Sequence, residues 1–209
     1  MKRIARRTGP LVLATLLFPS AVLAQGLRIA PGIGMYAPVS ELGQIQGPAG
    51  LVEFGKKEST LAYGLSLDFG AGDRPVGFRL GVAFAGRSDV PIEGVGCTSC
   101  DLRSTVLTAA ADLVIRPIPG MPVVRPYALL GAGAKWYNFD SDTFTSDLVE
   151  DQAKFIGHFG IGALLFPGGA VGLFAELTDA VSGFEFADGD GDLQHDLLFL
   201  VGLSLGLGR

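Results

Sequence analysis

The chain has 209 residues, one domain's length, and its 16 Lys and Arg against 21 Asp and Glu leave a formal charge of −5. That acidic balance argues against a nucleic-acid partner, since phosphate binding needs a basic surface. Mean hydropathy is positive, yet beyond the first residues no clean run of 18 or more apolar residues occurs, which excludes ordinary membrane helices.

Lys2, Arg3, Arg6 and Arg7, the apolar run 11–18 and Val22-Leu23-Ala24 before Gln25 read as a secretory signal peptide over 1–24. No Cys stands at the cleavage site, so no lipoprotein anchor is indicated. Its removal deletes four bases and no acids and takes the formal charge from −5 to −9. Residues 25–209 then form one unit.

Eight segments of that unit alternate apolar with small or polar residues, the mark of β-strands. The first, 27–39, sets Leu27, Ile29, Ile33 and Met35 against Arg28, Ala30, Gly32, Gly34 and Tyr36. The second and third form a hairpin: Leu61, Tyr63, Leu65, Leu67 and Phe69 on one strand, Phe78, Leu80, Val82 and Phe84 on the other, with Asp68 and Arg79 on the opposite face. The fourth, 104–117, opposes Leu107, Leu113 and Ile115 to Thr108 and Asp112. In the fifth, 126–139, Leu130 and Trp136 point away from Tyr127, Lys135 and Tyr137. The sixth, 155–166, separates Phe159 and Ile161 from His158. The seventh, 171–179, separates Leu173 and Leu177 from Phe174 and Glu176. The eighth, 197–207, sets Leu197, Phe199, Val201, Leu203, Leu205 and Leu207 against Leu198, Leu200 and Ser204.

Short connections (71–76, 118–124, 167–170) alternate with long polar ones (40–59, 87–103, 140–154, 182–195). Three short and four long connections predict an all-β, eight-stranded, antiparallel, up-and-down barrel with both termini at the short-turn end. A soluble barrel also alternates, but it needs an outer coat dense in charged groups. Here the face opposite the apolar one is mostly Gly and Ala with about one charge per strand, which suits a narrow lumen. The apolar face is therefore expected to meet lipid. Arg28, Asp68, Arg79, Asp112, Lys135 and Glu176, three bases and three acids, are expected to fill the lumen as a neutralising network, with His158 beside them. Tyr36, Tyr63, Phe69, Phe78, Trp136, Phe139, Phe155 and Phe166, near strand ends, are read as interfacial belts.

The signal peptide, Arg125-Pro-Tyr-Ala-Leu-Leu-Gly-Ala-Gly, Gly157-His-Phe-Gly-Ile-Gly, Phe174-Ala-Glu176 and the closing His195-Asp-Leu-Leu-Phe-Leu-Val-Gly-Leu-Ser-Leu resemble the small outer-membrane β-barrel family of OmpA-like, OmpX-like and OmpW-like proteins. The resemblance covers the whole mature chain and rests on architecture. It implies residence in a bacterial outer membrane, contact with membrane lipid and lipopolysaccharide, and insertion by the barrel assembly machinery, and it implies no particular activity. Such proteins usually end in an aromatic residue, whereas this chain ends Leu207-Gly208-Arg209.

Three further features bear on chemistry. Cys97 and Cys100, the two Cys of an exported chain, are expected to form a local disulfide; two thiolates alone are too few for zinc. Asp188, Asp190 and Asp192 have the spacing of a calcium loop, but Leu193 and Phe199 stand where that pattern needs Gly and Glu, which leaves at most weak divalent binding. His158 and His195 could pair with acids such as Asp192 or Asp196, but no catalytic constellation is read, and no cofactor is implied. The expected protein is a non-enzymatic outer-membrane barrel with an envelope-structural or surface-interaction role and a lumen closed by charge. The alternatives are a transporter of hydrophobic compounds in the OmpW-like manner, which needs a greasy outer lumen, and a lipid A modifying enzyme.

Overall fold

The computed structural model describes residues 26–47, 50–70, 74–94, 102–141, 151–184 and 192–207. Segments 1–24, Cys97, Cys100, Asp188 and Asp190 lie outside them. Asp192 opens the last strand, opposite Phe184.

Eight long strands close into an antiparallel barrel: β1 (Leu27–Pro38), β4 (Thr60–Phe69), β5 (Val76–Asp89), β7 (Leu102–Ile115), β8 (Val124–Ser141), β9 (Gln152–Leu165), β10 (Val171–Phe184) and β11 (Asp192–Leu207). Each pairs with its neighbours in sequence, and β1 pairs with β11 to close the ring. A separate sheet is built from β2 (Gly43–Gly47), β3 (Gly50–Phe54) and β6 (Ile92–Gly94).

The short turns gather at one end with Leu27 and Leu207, tied by Phe166 N–H to the Val123 carbonyl (2.8 Å) and Gly206 N–H to the Ala170 carbonyl (2.7 Å). In the barrels that the sequence resembles, the short turns lie at the periplasmic end. Several strands reach 14 to 18 residues. About 9 to 11 suffice to cross a bilayer, so these strands project beyond it at the other end.

Alternation fixes the two faces. Outward stand Met35, Leu61, Leu80, Phe84, Leu113, Leu130, Phe159, Ile161 and Leu203, all substantially exposed. A soluble protein would not leave this continuous apolar coat in water, and it accounts for the bilayer as the solvent. Inward-facing small residues make room for larger ones. A Cβ on Gly64 would lie 2.5 Å from Leu200 Cδ1, and one on Gly162 would lie 2.5 Å from the Tyr127 ring.

The first long connection differs from the polar loop read from the sequence. The β2–β3–β6 sheet covers the outer mouth, and Leu42, Val52 and Phe54, all fully buried, join Val90, Leu102, Val106, Tyr36 and Tyr137 in a small core. Each such side chain contributes about 1.5–3 kcal/mol on burial, so the cover is a packed element. The seventh strand runs on to Phe184 and the eighth starts at Asp192, because the barrel wall continues above the lipid. Two expected belt aromatics have other places: Tyr36 is buried in the lumen, and Phe139 stacks on Tyr137 with centroids 6.0 Å apart.

Candidate functional site

The candidate site is the lumen, filled in tiers. In register, Arg28 lies opposite Asp68, Asp68 opposite Arg79, and Arg79 opposite Asp112, so β1, β4, β5 and β7 carry one row of alternating sign. Arg79 Nε donates to Asp68 Oδ1 (2.5 Å) and Nη2 to Asp68 Oδ2 (3.2 Å), while Nη1 donates across the lumen to Glu176 Oε2. Tyr127 O–H adds a bond to Glu176 Oε2 (2.8 Å), and its ring lies 5.0 Å from the Arg79 guanidinium carbon. All four are buried.

Below this tier Arg28 donates to Ser204 Oγ (2.8 Å) and to the Pro167 and Gly169 carbonyls of the last periplasmic turn (2.9 and 3.1 Å). Arg116 Nη1 donates to the Gly70 carbonyl (3.2 Å), and Arg125 is buried at the same end. Arg28 and Arg116 thereby fasten turns to the wall.

In the middle, His158 Nδ1 and Asp112 Oδ1 are 2.7 Å apart. The register reads Asp112, Gly131, His158 across β7, β8 and β9, so the carboxylate reaches over a strand that has no side chain there. A cavity of about 50 Å³ lies beside them, lined also by Arg79, Glu176, Leu198 and Leu200. That is room for a few waters.

The outer tier centres on Asp196. Lys135 Nζ donates to Asp196 Oδ2 (2.5 Å) and shares its other two N–H groups among Tyr137 Oη (3.1 Å), Ser182 Oγ (3.1 Å) and the Ala180 carbonyl (3.3 Å), while Tyr137 O–H donates to the same carboxylate (3.2 Å). Lys57, in the connection from β3 to β4, enters the mouth from above: Nζ donates to Tyr36 O–H (2.9 Å) and lies 4.3 Å from the Tyr137 ring centroid. Lys135 is 0 % and Lys57 1 % exposed. Burial lowers the Lys57 ammonium to about 8, against the pull of Asp196 and with the push of Lys135.

The six charges read from the sequence thus sit in the lumen, and four buried ones join them: Lys57, Arg116, Arg125 and Asp196. Extending the eighth strand's alternation back two residues would have found Asp196. Lys57 carried no local signal, since its place depends on the fold of the cover. His195 Nδ1 meets Asp179 Oδ2 (2.8 Å) on the outer wall, whereas Asp196 turns inward to Lys135. Ser40 Oγ accepts from the His195 backbone N–H (3.0 Å).

No protein-family model matches the chain, and no curated protein matches it by sequence. Solved structures do. The outer membrane protein OprG from Pseudomonas aeruginosa is 13% identical over 89% of this chain and 97% of its own, with a TM-score of 0.59. The fold is that of a small outer-membrane β-barrel. Ail of Yersinia pestis, solved with the heparin analogue sucrose octasulfate, is 19% identical over 87% and 99% with a TM-score of 0.51. AlkL, solved in DMPC bilayers, is 13% identical over 89% and 92% with a TM-score of 0.51. Fold and apolar coat together put this barrel in the outer membrane.

Proposed function

We propose that this barrel is a closed, non-catalytic part of the outer membrane, serving envelope structure or surface interaction through its extracellular end. The observation that carries the reading is the sealed lumen. Ion-paired tiers at Arg79 and Asp196 cross it, the cavities between measure only about 50 and 20 Å³, and a packed sheet with Lys57 beneath it covers the mouth. Buried ions are retained where each has a partner, and removing one partner is expensive, so these tiers favour a fixed plug. A path for hydrophobic compounds would need an apolar outer lumen. That end instead holds Lys57, Lys135, Asp196, Tyr36 and Tyr137.

The test is uptake by liposomes carrying the refolded barrel, with a small polar solute in one arm and an apolar fluorescent tracer in the other. Rates equal to those of empty liposomes in both arms are expected. Tracer uptake above that background would overturn the reading in favour of transport.

A further inference from the structure

The outer wall of β5, β7 and β8 carries a feature that the sealed lumen does not use. Alternation inward from Ala83 and Ala85 would aim Arg87 into the lumen. Between Ala85 and Ser88, however, β5 contains one more residue than its partner stretch on β7, a β-bulge. The bulge reverses the phase, so Arg87 is exposed and Ser88 is buried. Bulges at barrel rims commonly re-aim a side chain in this way.

Beside it stands Arg103, also exposed, and the two arginines share an open groove of about 280 Å³ with Thr105 and Asn138. Each arginine has an acidic neighbour that takes one nitrogen: Arg87 Nη2 lies 3.1 Å from Asp140 Oδ2, and Arg103 Nε lies 3.1 Å from Asp89 Oδ1. Among the described residues no side chain takes the other guanidinium nitrogens, which lie on an exposed surface. Directly below lie Phe84, Leu107 and Trp136, neighbours in register and all exposed, at the top of the apolar coat. The groove therefore opens where lipid headgroups begin.

We propose that this groove binds a phosphate group of the outer leaflet's glycolipid, with Arg87 and Arg103 as the charged donors and Thr105 and Asn138 as neutral ones. Guanidinium groups match phosphate oxygens in pairs, and such charge-assisted bonds are strong. The acyl chains would lie on Phe84, Leu107 and Trp136, which gives the ligand both its chemistries at one place. The inference rests on the outer-membrane orientation and names a partner for the surface-interaction reading.

The chain has one tryptophan, and it is this Trp136. Its emission therefore reports on the groove. The experiment titrates bisphosphorylated lipid A, and separately its dephosphorylated form, into phosphatidylcholine nanodiscs holding the refolded barrel. Wild type should respond to the phosphorylated form at about tenfold lower mole fraction than to the other. Arg87→Gln with Arg103→Gln should abolish that preference, while Lys56→Gln, an exposed base elsewhere at the outer end, should leave it intact. Equal responses to the two lipids, or a preference kept by the double variant, overturns the proposal. Both residues are exposed, so folding is not at stake, and heat-modifiable gel mobility checks it. Neither outcome bears on liposome uptake, so failure here is separable from failure of the closed-barrel reading.

Discussion

Asp196 is the residue on which the outer tier depends, because Lys135 pairs with its carboxylate and the buried Lys57 ammonium feels its charge. Asp196→Asn keeps the shape and removes the charge, leaving Lys135 without a counter-ion. A loss of about 3–5 kcal/mol is expected from urea unfolding in detergent micelles. Pairing it with Lys135→Met should recover much of that loss. Gly131 is a second sensitive position, for a steric reason. A Cβ there would lie 2.2 Å from both the Ala111 carbonyl oxygen and Asp112 Oδ1, and the first is backbone that cannot step aside. Gly131→Ala should destabilise by about 1–3 kcal/mol in the same assay. Arg28, Asp68, Arg79 and Asp112 were legible in the sequence because strict alternation left no doubt about their face. Arg116 and Arg125 keep the same phase, in line with Asp112 and Val114 and with Tyr127 and Leu129, but each stands at a strand end beside a short turn, where a base reads as a solvated one.

The cover is the element least visible in the sequence. Leu42, Ile45, Leu51, Val52 and Phe54 are apolar among the polar residues of this stretch, and the Gly47-Pro48-Ala49-Gly50 run between them has turn composition. Those signals mark a hairpin, but nothing in them says that it folds over a barrel mouth. Its third strand comes from a different loop, which only the closed barrel brings near. Lys57 links this cover to the lumen and gives it a pH dependence. Its folded value, about 8, lies below the ordinary lysine value of 10.5, so the folded state disfavours the charged form. Stability is therefore lower when Lys57 is charged in both states, and it rises as the pH climbs from about 8 towards 10.5. The urea midpoint of wild type should rise across that window relative to Lys57→Met, which lacks the titration. A constant difference between the two would contradict the burial of this ammonium.

At the scale of the whole molecule, one alternating pattern specifies two solvents. The outward apolar residues fit lipid, and the inward small residues leave room for a few long charged ones that neutralise each other across the lumen. Strand number does the rest, since eight strands enclose a space that side chains fill. Architecture was therefore readable from periodicity and connection lengths alone. The cross-lumen partners were not, because Arg79 with Glu176 and Lys135 with Asp196 meet only after closure, between strands far apart in sequence. Loop chemistry at Cys97 and Cys100 is a separate matter of exported-protein redox, and a mass shift of the unreduced against the reduced and alkylated chain would test the expected disulfide.

The central claim is that the lumen is closed by these tiers. Planar-bilayer recording of the purified, refolded barrel at neutral pH in molar salt tests it most directly. No steady current above that of the bare membrane is expected; a sustained conductance that scales with salt concentration would show the lumen to be open.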